Sequence, residues 1–202
     1  MSTLPILVEG SGLRVLVVGG GNVAMRKVRQ FAQAGATVRI VAPELDPALE
    51  LLAREFAILV DRRPYETGDI GDAQLVIIAT NDRMANSTVA RDAHADNRLL
   101  NAADHSSDGN FAMMATHHRG PLTIGVSAGG VPAAAIRIRN AIAERFDARY
   151  ADALSDLGAL RKRMIASGDS ELWRSRSPEL INEDFCDAVE GGEISQRIAE
   201  WP

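Results

Sequence analysis

The stretch "VVGGGNVA", residues 17–24, sets three consecutive glycines between a β-branched run, "LRVLVV" at 13–18, and helix-compatible residues from Asn22 to Ala34, which Gly35 stops. A strand that turns at once into a helix is the opening half of a βαβ unit, and such a turn must be tight. Gly19 permits the turn, Gly21 lets a backbone approach a pyrophosphate, and the small Ala24 lets helix and strand pack closely. The helix start, at Asn22 and Val23, then offers N–H groups to phosphates. Taken alone, the spacing fits equally a turn that needs positive φ, so the rest of the chain must decide.

The pattern repeats. Strand 37–42 ("TVRIVA"), a helix over about 46–55, strands 57–61 and 75–80, a helix over about 83–95 and strand 98–102 follow in order. Short continuous apolar strands alternating with helices predict a parallel sheet covered on both faces, so residues 1–112 read as an α/β, Rossmann-like, doubly wound NAD-binding domain. After Asp108-Gly109 the character changes. "FAMMATHHRGPLTIGVSAGG" predicts an antiparallel hairpin turning at His118-Arg119-Gly120-Pro121, followed by a helix over Val131–Arg145 with Pro132 in its first turn. These form a small α+β segment, 113–148. Residues 149–202 read as a helical domain broken near Gly168, Pro178 and Gly191-Gly192.

The composition, 46% apolar, is ample for a packed core. The longest apolar runs, such as "LVIIA" at 75–79, are too short to cross a bilayer, and no basic stretch precedes an apolar one at the N-terminus. A cytoplasmic protein with no membrane partner is expected. The single cysteine, Cys186, cannot form an internal disulfide, which agrees with a reducing compartment. A net charge of −5 and 4% aromatic residues argue against nucleic acid as a partner.

Strand ends locate the candidate binding residues. Val41-Ala42-Pro43-Glu44 carries no acid directly after the strand to take ribose hydroxyls, although Glu44 lies within reach, and no arginine follows Pro43 to meet a 2′-phosphate. NAD is therefore favoured over NADP. Thr80-Asn81-Asp82 closes the next strand at the same edge; Asn81 or Asp82 is also a natural helix N-cap. "LLNAADHSSDGNF", 99–111, is a polar corner at the carboxyl end of the last strand. Asp104 there can take a proton from a substrate while hydride leaves to a cofactor, or it can simply form an Asx-turn. His105 is the alternative base, better tuned near neutral pH, or a packing histidine.

Together, "LPILVEGSGLRVLVVGGGNVAMRKVRQFAQAGATVRIVAPEL", "LVIIATND", "LLNAADH" and "FAMMATHHRGPLTIGVSAGGVPAAAIRIR" resemble the precorrin-2 dehydrogenase module of siroheme synthases over essentially the whole chain. The most specific parts are the opening Leu-Pro-Ile, the glycine turn followed by Arg26-Lys27, Asn101-x-x-Asp104, and Ser127-x-Gly129-Gly130 with Pro132 after it. That resemblance implies oxidation of precorrin-2 to sirohydrochlorin with NAD⁺ and, in some members, insertion of Fe²⁺. It also implies cofactor contacts at Asn22, Val23, Pro43 and Glu44, a catalytic role for Asp104, and a homodimer joined through about 113–147 with the helical tail closing over the site. Asn101, Ser127, Gly129 and Gly130 become substrate-binding candidates. The family commonly has Ser or Thr where this chain has Ala128, which removes a hydroxyl from the expected pocket. The fused methyltransferase domain of some siroheme synthases does not follow Pro202, so precorrin-2 is expected from another protein.

A polycarboxylate macrocycle meeting a chain of net negative charge needs local cations. His117-His118-Arg119, Arg137 and Arg139, and Arg161-Lys162-Arg163 are the candidates; Arg137 and Arg139 are retained because they follow the double-glycine loop. No His, Cys, Asp or Glu spacing announces a closed metal site. Two rival readings remain: an NAD-sensing regulatory domain and a dehydrogenase for another small substrate. Regulatory domains of that kind usually end the second strand in an acid, whereas this chain has Ala42-Pro43.

Overall fold

The computed structural model describes residues 3–102 and 108–201. They divide into two compact units, 1–113 and 114–202. In the first, strands β1 (Arg14–Val18), β2 (Thr37–Val41), β3 (Leu59–Asp61), β4 (Leu75–Ile78) and β5 (Leu99–Ala102) form an all-parallel sheet in the order β3-β2-β1-β4-β5. Helices α1 (Asn22–Gln33), α2 (Pro47–Glu55) and α3 (Arg83–Ala95) cover it. The doubly wound sheet expected from the sequence is borne out. Strand order reverses between β1 and β4, so the crevice beyond their carboxyl ends is where such a sheet takes a ligand.

Side-chain alternation sorts the apolar residues onto two faces. Val15, Val17, Ile40, Leu75 and Ile77 pack with Ala24 and Val28 of α1 and Leu49 and Leu52 of α2. Leu16, Val18, Val76, Ile78 and Leu100 pack on the other face with Val89, Ala90 and Ala93 of α3. Local signals start two of the helices. The Asp46 carboxylate accepts from the Ala48 N–H ahead of Pro47 in α2, and the Asp82 carboxylate accepts from the Met84 and Ala85 N–H groups of α3.

The crossover from β3 to β4 has no helix, and an ionic cluster holds it instead. Arg39 of β2 donates to the Asp61 carboxylate at 2.7 Å, and to the carbonyl and carboxylate of Asp69 at 2.9 and 3.2 Å. Arg63 grips the same Asp69 carboxylate through both terminal nitrogens, at 2.7 and 2.6 Å. Asp69 is only 7% exposed. Hydrogen bonds from Arg63, then the Glu66 N–H and the charge of Arg39, hold its pKa down to about 2 against an ordinary 3.8, in spite of burial. A depressed carboxylate contributes stability above its unfolded pKa and loses it as pH falls towards the folded one. The contribution, about 2 kcal/mol at neutral pH, should therefore disappear between about pH 4 and about pH 2. Asp69→Asn strands two arginines around a neutral amide. It is expected to cost about 3 kcal/mol at pH 7 and to flatten that acid limb, as read from urea midpoints across pH.

In the second unit, β6 (Ala115–Arg119) and β7 (Leu122–Val126) form an antiparallel hairpin, followed by α4 (Pro132–Arg145), α5 (Ala148–Ala166), α6 (Ser170–Leu180), α7 (Phe185–Gly191) and α8 (Ile194–Ala199). Tyr150, Ala153, Leu157, Leu160 and Met164 of α5 form one core with Leu180, Val189, Ile194 and Ile198. The break expected near Pro178 falls after Leu180. Proline is tolerated inside α6 because its missing N–H costs one bond in a final turn. Among the described residues, no helix is long and apolar enough to cross a membrane.

Candidate dinucleotide site at the carboxyl edge

The glycine turn is clamped from two sides. Gly19 has φ +126°, its N–H donates to the Val41 carbonyl at 3.0 Å, and a Cβ there would lie 2.1 Å from the Ala79 carbonyl oxygen of the segment leaving β4. Gly20 presses on the loop between β2 and α2: a Cβ would come within 1.9 Å of the Glu44 carbonyl oxygen, and the Gly20 carbonyl accepts from the Asp46 N–H at 2.7 Å. Gly21 is different. A Cβ on it would meet nothing within 4 Å, so open space lies directly over the start of α1. No side chain caps that helix and no acid sits in its first turn. Its first N–H groups and positive dipole end thus face the opening, an arrangement that fits a diphosphate. Gly20 is the unnamed middle position of the Gly19-x-Gly21 spacing, and its signal in the sequence is that the run of glycines is unbroken.

The other expected cofactor positions lie along the same edge. Ala24 is fully buried, as the close helix–strand contact requires, while Asn22 is exposed and Val23 half-buried. Pro43 and Glu44 are exposed just after β2. Asp46, the next acid, spends its carboxylate on the α2 cap. Beyond β4, the Thr80 hydroxyl accepts from the Asp82 N–H at 2.8 Å and its carbonyl from the Asn86 amide at 2.9 Å. Asp82 is the N-cap of α3, and Asn81 is exposed beside it.

At the end of β5, Asn101 pairs in register with Ile77 and so lies on the α1 face. Its carbonyl oxygen accepts from the Lys27 ammonium, and its amide nitrogen donates to the Phe111 carbonyl at 3.0 Å. Lys27 reaches there from the buried side of α1, next to Val28 and one turn after Ala24, and its ammonium also lies 3.9 Å from the Met113 sulfur. Burial, then the neighbouring Arg26 charge, pushes the Lys27 pKa below its ordinary value. In the sequence Lys27 is marked only by the motif it shares with Arg26; its place on an apolar helix stripe is the available signal. Asp104 and His105 lie outside the described residues.

In the second unit, Ser127 is exposed, and Gly129 and Gly130, with φ +56° and +86°, turn the chain into α4. That helix begins at Pro132 with no side-chain cap. Arg137 is exposed. Arg139 is half-buried and donates to the Thr116 carbonyl at 3.4 Å. His117 is buried, with its Nε2 2.7 Å from the Phe146 carbonyl, so it packs within the unit, whereas His118 bonds Thr123 across the hairpin. Two hollows of about 350 and 280 Å³ lie at the opposite, amino edge of the sheet, lined by residues such as Thr37, Val38 and Ile58, away from the glycine turn. Among the described residues, no group of three or more His, Cys, Asp or Glu side chains is placed to hold a metal ion.

Known proteins fit this geometry. The siroheme synthase of Pseudomonas putida (strain W619) is 39% identical over 198 residues, 98% of this chain and 41% of the relative. That of Azotobacter vinelandii (strain DJ) is 38% identical over 199 residues, again 98% and 41%. The chain thus spans well under half the length of these curated relatives. Among solved structures, "SirC, precorrin-2 dehydrogenase" matches with a TM-score of 0.75 and 26% identity, covering 98% of this chain and all of that one. The resemblance read from the sequence, to the dehydrogenase module of siroheme synthases, is borne out by these relatives. A family described as "Putative NAD(P)-binding" matches residues 6–115, the unit that carries the glycine turn. With more than half of its length matched, the chain belongs to that NAD(P)-binding family.

Proposed function

We propose that this chain oxidises precorrin-2 to sirohydrochlorin with NAD⁺. The observation that carries the reading is the likeness to a precorrin-2 dehydrogenase over the whole of both chains, at a TM-score of 0.75. Bound NAD⁺ supplies the hydride acceptor. The chain's own residues do the rest. The first N–H groups of α1 hold the diphosphate in the space over Gly21, and Pro43, Glu44, Thr80 and Asn81 border the remainder of the cofactor. The absence of an arginine after Pro43 favours NAD⁺ over NADP⁺.

Removing two hydrogens breaks one C–H bond with its electron pair and releases one proton. Asp104, which matches the family's catalytic aspartate, takes the proton, with His105 as the neighbouring alternative. Asn101, Ser127, Gly129, Gly130, Arg137 and Arg139 are assigned to the macrocycle. Both ends of the Asn101 amide are engaged within its unit, so its contribution is orientation as well as contact. Insertion of Fe²⁺ as a second substrate is the further step the resemblance implies. A homodimer joined through 113–147 is part of the same reading, supported by Val131, Ile136 and Ile138, which stay 55%, 46% and 48% exposed.

The test is an anaerobic assay of purified protein with precorrin-2 and either NAD⁺ or NADP⁺, followed by Fe²⁺. NADH should appear together with the absorbance of sirohydrochlorin, and light scattering should give twice the chain mass. NAD⁺ binding without consumption would favour a regulatory domain instead.

A further inference from the structure

Lys27 is an unusual residue for its position. It stands on the stripe of α1 that otherwise buries Ala24, Val28 and Ala32 against the sheet. Lys27 is half-buried there, and the desolvation of its ammonium is offset by the hydrogen bond to Asn101. Among the described residues its partners are the Asn101 carbonyl oxygen and the Met113 sulfur.

The Asn101 amide is thereby fixed in one orientation. A cation demands the oxygen on one side, and the Phe111 carbonyl demands the nitrogen on the other at 3.0 Å. Around it, the Leu100 N–H donates to the Asn110 side chain at 2.7 Å, while the Asn110 and Phe111 N–H groups donate to the Leu100 carbonyl at 2.9 and 3.3 Å. These bonds tie together the two points, residues 100–101 and 110–111, between which the chain containing Asp104 leaves and returns. Phe111 also packs against the apolar face that carries Val28 and Ile77. One helix, the last strand and the returning chain therefore meet at a single ammonium.

We propose that Lys27 is a positioning residue: through Asn101 its ammonium clasps the end of β5 to the returning chain at Asn110 and Phe111, the described residues that flank Asp104 in the sequence. The proposal rests on the dehydrogenase reading for its effect on turnover, but the clasp itself stands on contacts within one unit. Lys27→Met keeps the length and apolar stem and removes only the donor, so the fold should keep its thermal midpoint, while Lys27→Arg restores a cation with donors. The expected result for Lys27→Met is a kcat at least tenfold lower with Kd for NAD⁺ within about threefold of the parent, because the cofactor cradle is built from other residues while misplacement of a reacting group acts on the chemical step. Lys27→Arg should recover most of that loss. In an Asn101→Ala background, Lys27→Met should add less than about threefold, since both act through one contact.

Hydrogen exchange on the same proteins decides the clasp independently of activity. The Leu100, Asn110 and Phe111 amides should exchange at least tenfold faster in Lys27→Met and at the parental rate in Lys27→Arg. A Lys27→Met protein with parental kcat, or with exchange unchanged at those amides, overturns the proposal, as does a lower kcat that Lys27→Arg fails to restore. If the parent itself does not turn over precorrin-2, it is the dehydrogenase reading that fails, and the exchange result alone then decides whether Lys27 holds the corner.

Discussion

Asp104→Ala is expected to lower turnover of precorrin-2 by at least about a hundredfold while NAD⁺ binds with its parental Kd. A positioned acid or base contributes about 10²–10⁴ to rate, and its removal leaves the hydride acceptor in place without the carboxylate assigned to take the proton. The proposed diphosphate cradle lies in other elements, the turn after β1 and the start of α1, so cofactor affinity should not register the change. Asp104→Asn separates charge from size. If the carboxylate acts as a base, asparagine should be as damaging as alanine; if it merely shapes a turn, asparagine should restore activity, since it makes the same local bond. Single-turnover measurement of NADH formation, with NAD⁺ affinity measured in parallel by calorimetry, decides between them. Parental turnover in Asp104→Ala would remove the residue from the mechanism and leave His105 as the base to test.

The second large effect is expected at Gly21. Its φ of −90° is open to any residue, and a Cβ there meets nothing within 4 Å, so Gly21→Asp should leave the protein folded with a nearly parental thermal midpoint. The new carboxylate would occupy the space over the first N–H groups of α1 and cap them itself, setting negative charge against the diphosphate. NAD⁺ affinity should fall at least about a hundredfold, close to 3 kcal/mol. Gly20→Ala should do the opposite. Its Cβ would fall 1.9 Å from the Glu44 carbonyl oxygen, so the backbone must shift and the loss should appear first as a lower thermal midpoint. Two adjacent glycines would thus fail in different ways, one in binding and one in folding. Normal NAD⁺ binding by Gly21→Asp would mean that the cofactor does not rest on this helix.

What could be read without coordinates was local. "VVGGGNVA", the buried runs at 13–18 and 75–79, and the Asp82 cap each combine a period, a glycine or a short polar side chain within a few residues, and their physics is complete at that range. From them followed the parallel sheet, the carboxyl edge as the place for a ligand, and a dinucleotide as its class. Even the ambiguity between Asn81 and Asp82 was local, and the hydrogen bonds from the Met84 and Ala85 N–H groups resolved it in favour of Asp82 as cap.

What needed the tertiary structure was every role that depends on residues far apart in the chain. Gly20 looked like a spacer until the loop carrying Glu44 was folded against it. His117 looked like a cation for an anionic substrate, yet the Phe146 carbonyl, 29 positions away, claims its ring. Asp69 looks like an ordinary surface charge in the sequence, and nothing local names a partner for Lys27; one anchors a crossover that has no helix, and the other reaches an asparagine 74 positions away. Local periodicity specifies which face of an element is apolar, but the partner of a buried charge is chosen by how strands stack side by side, and the sequence of a single strand carries no record of its neighbour.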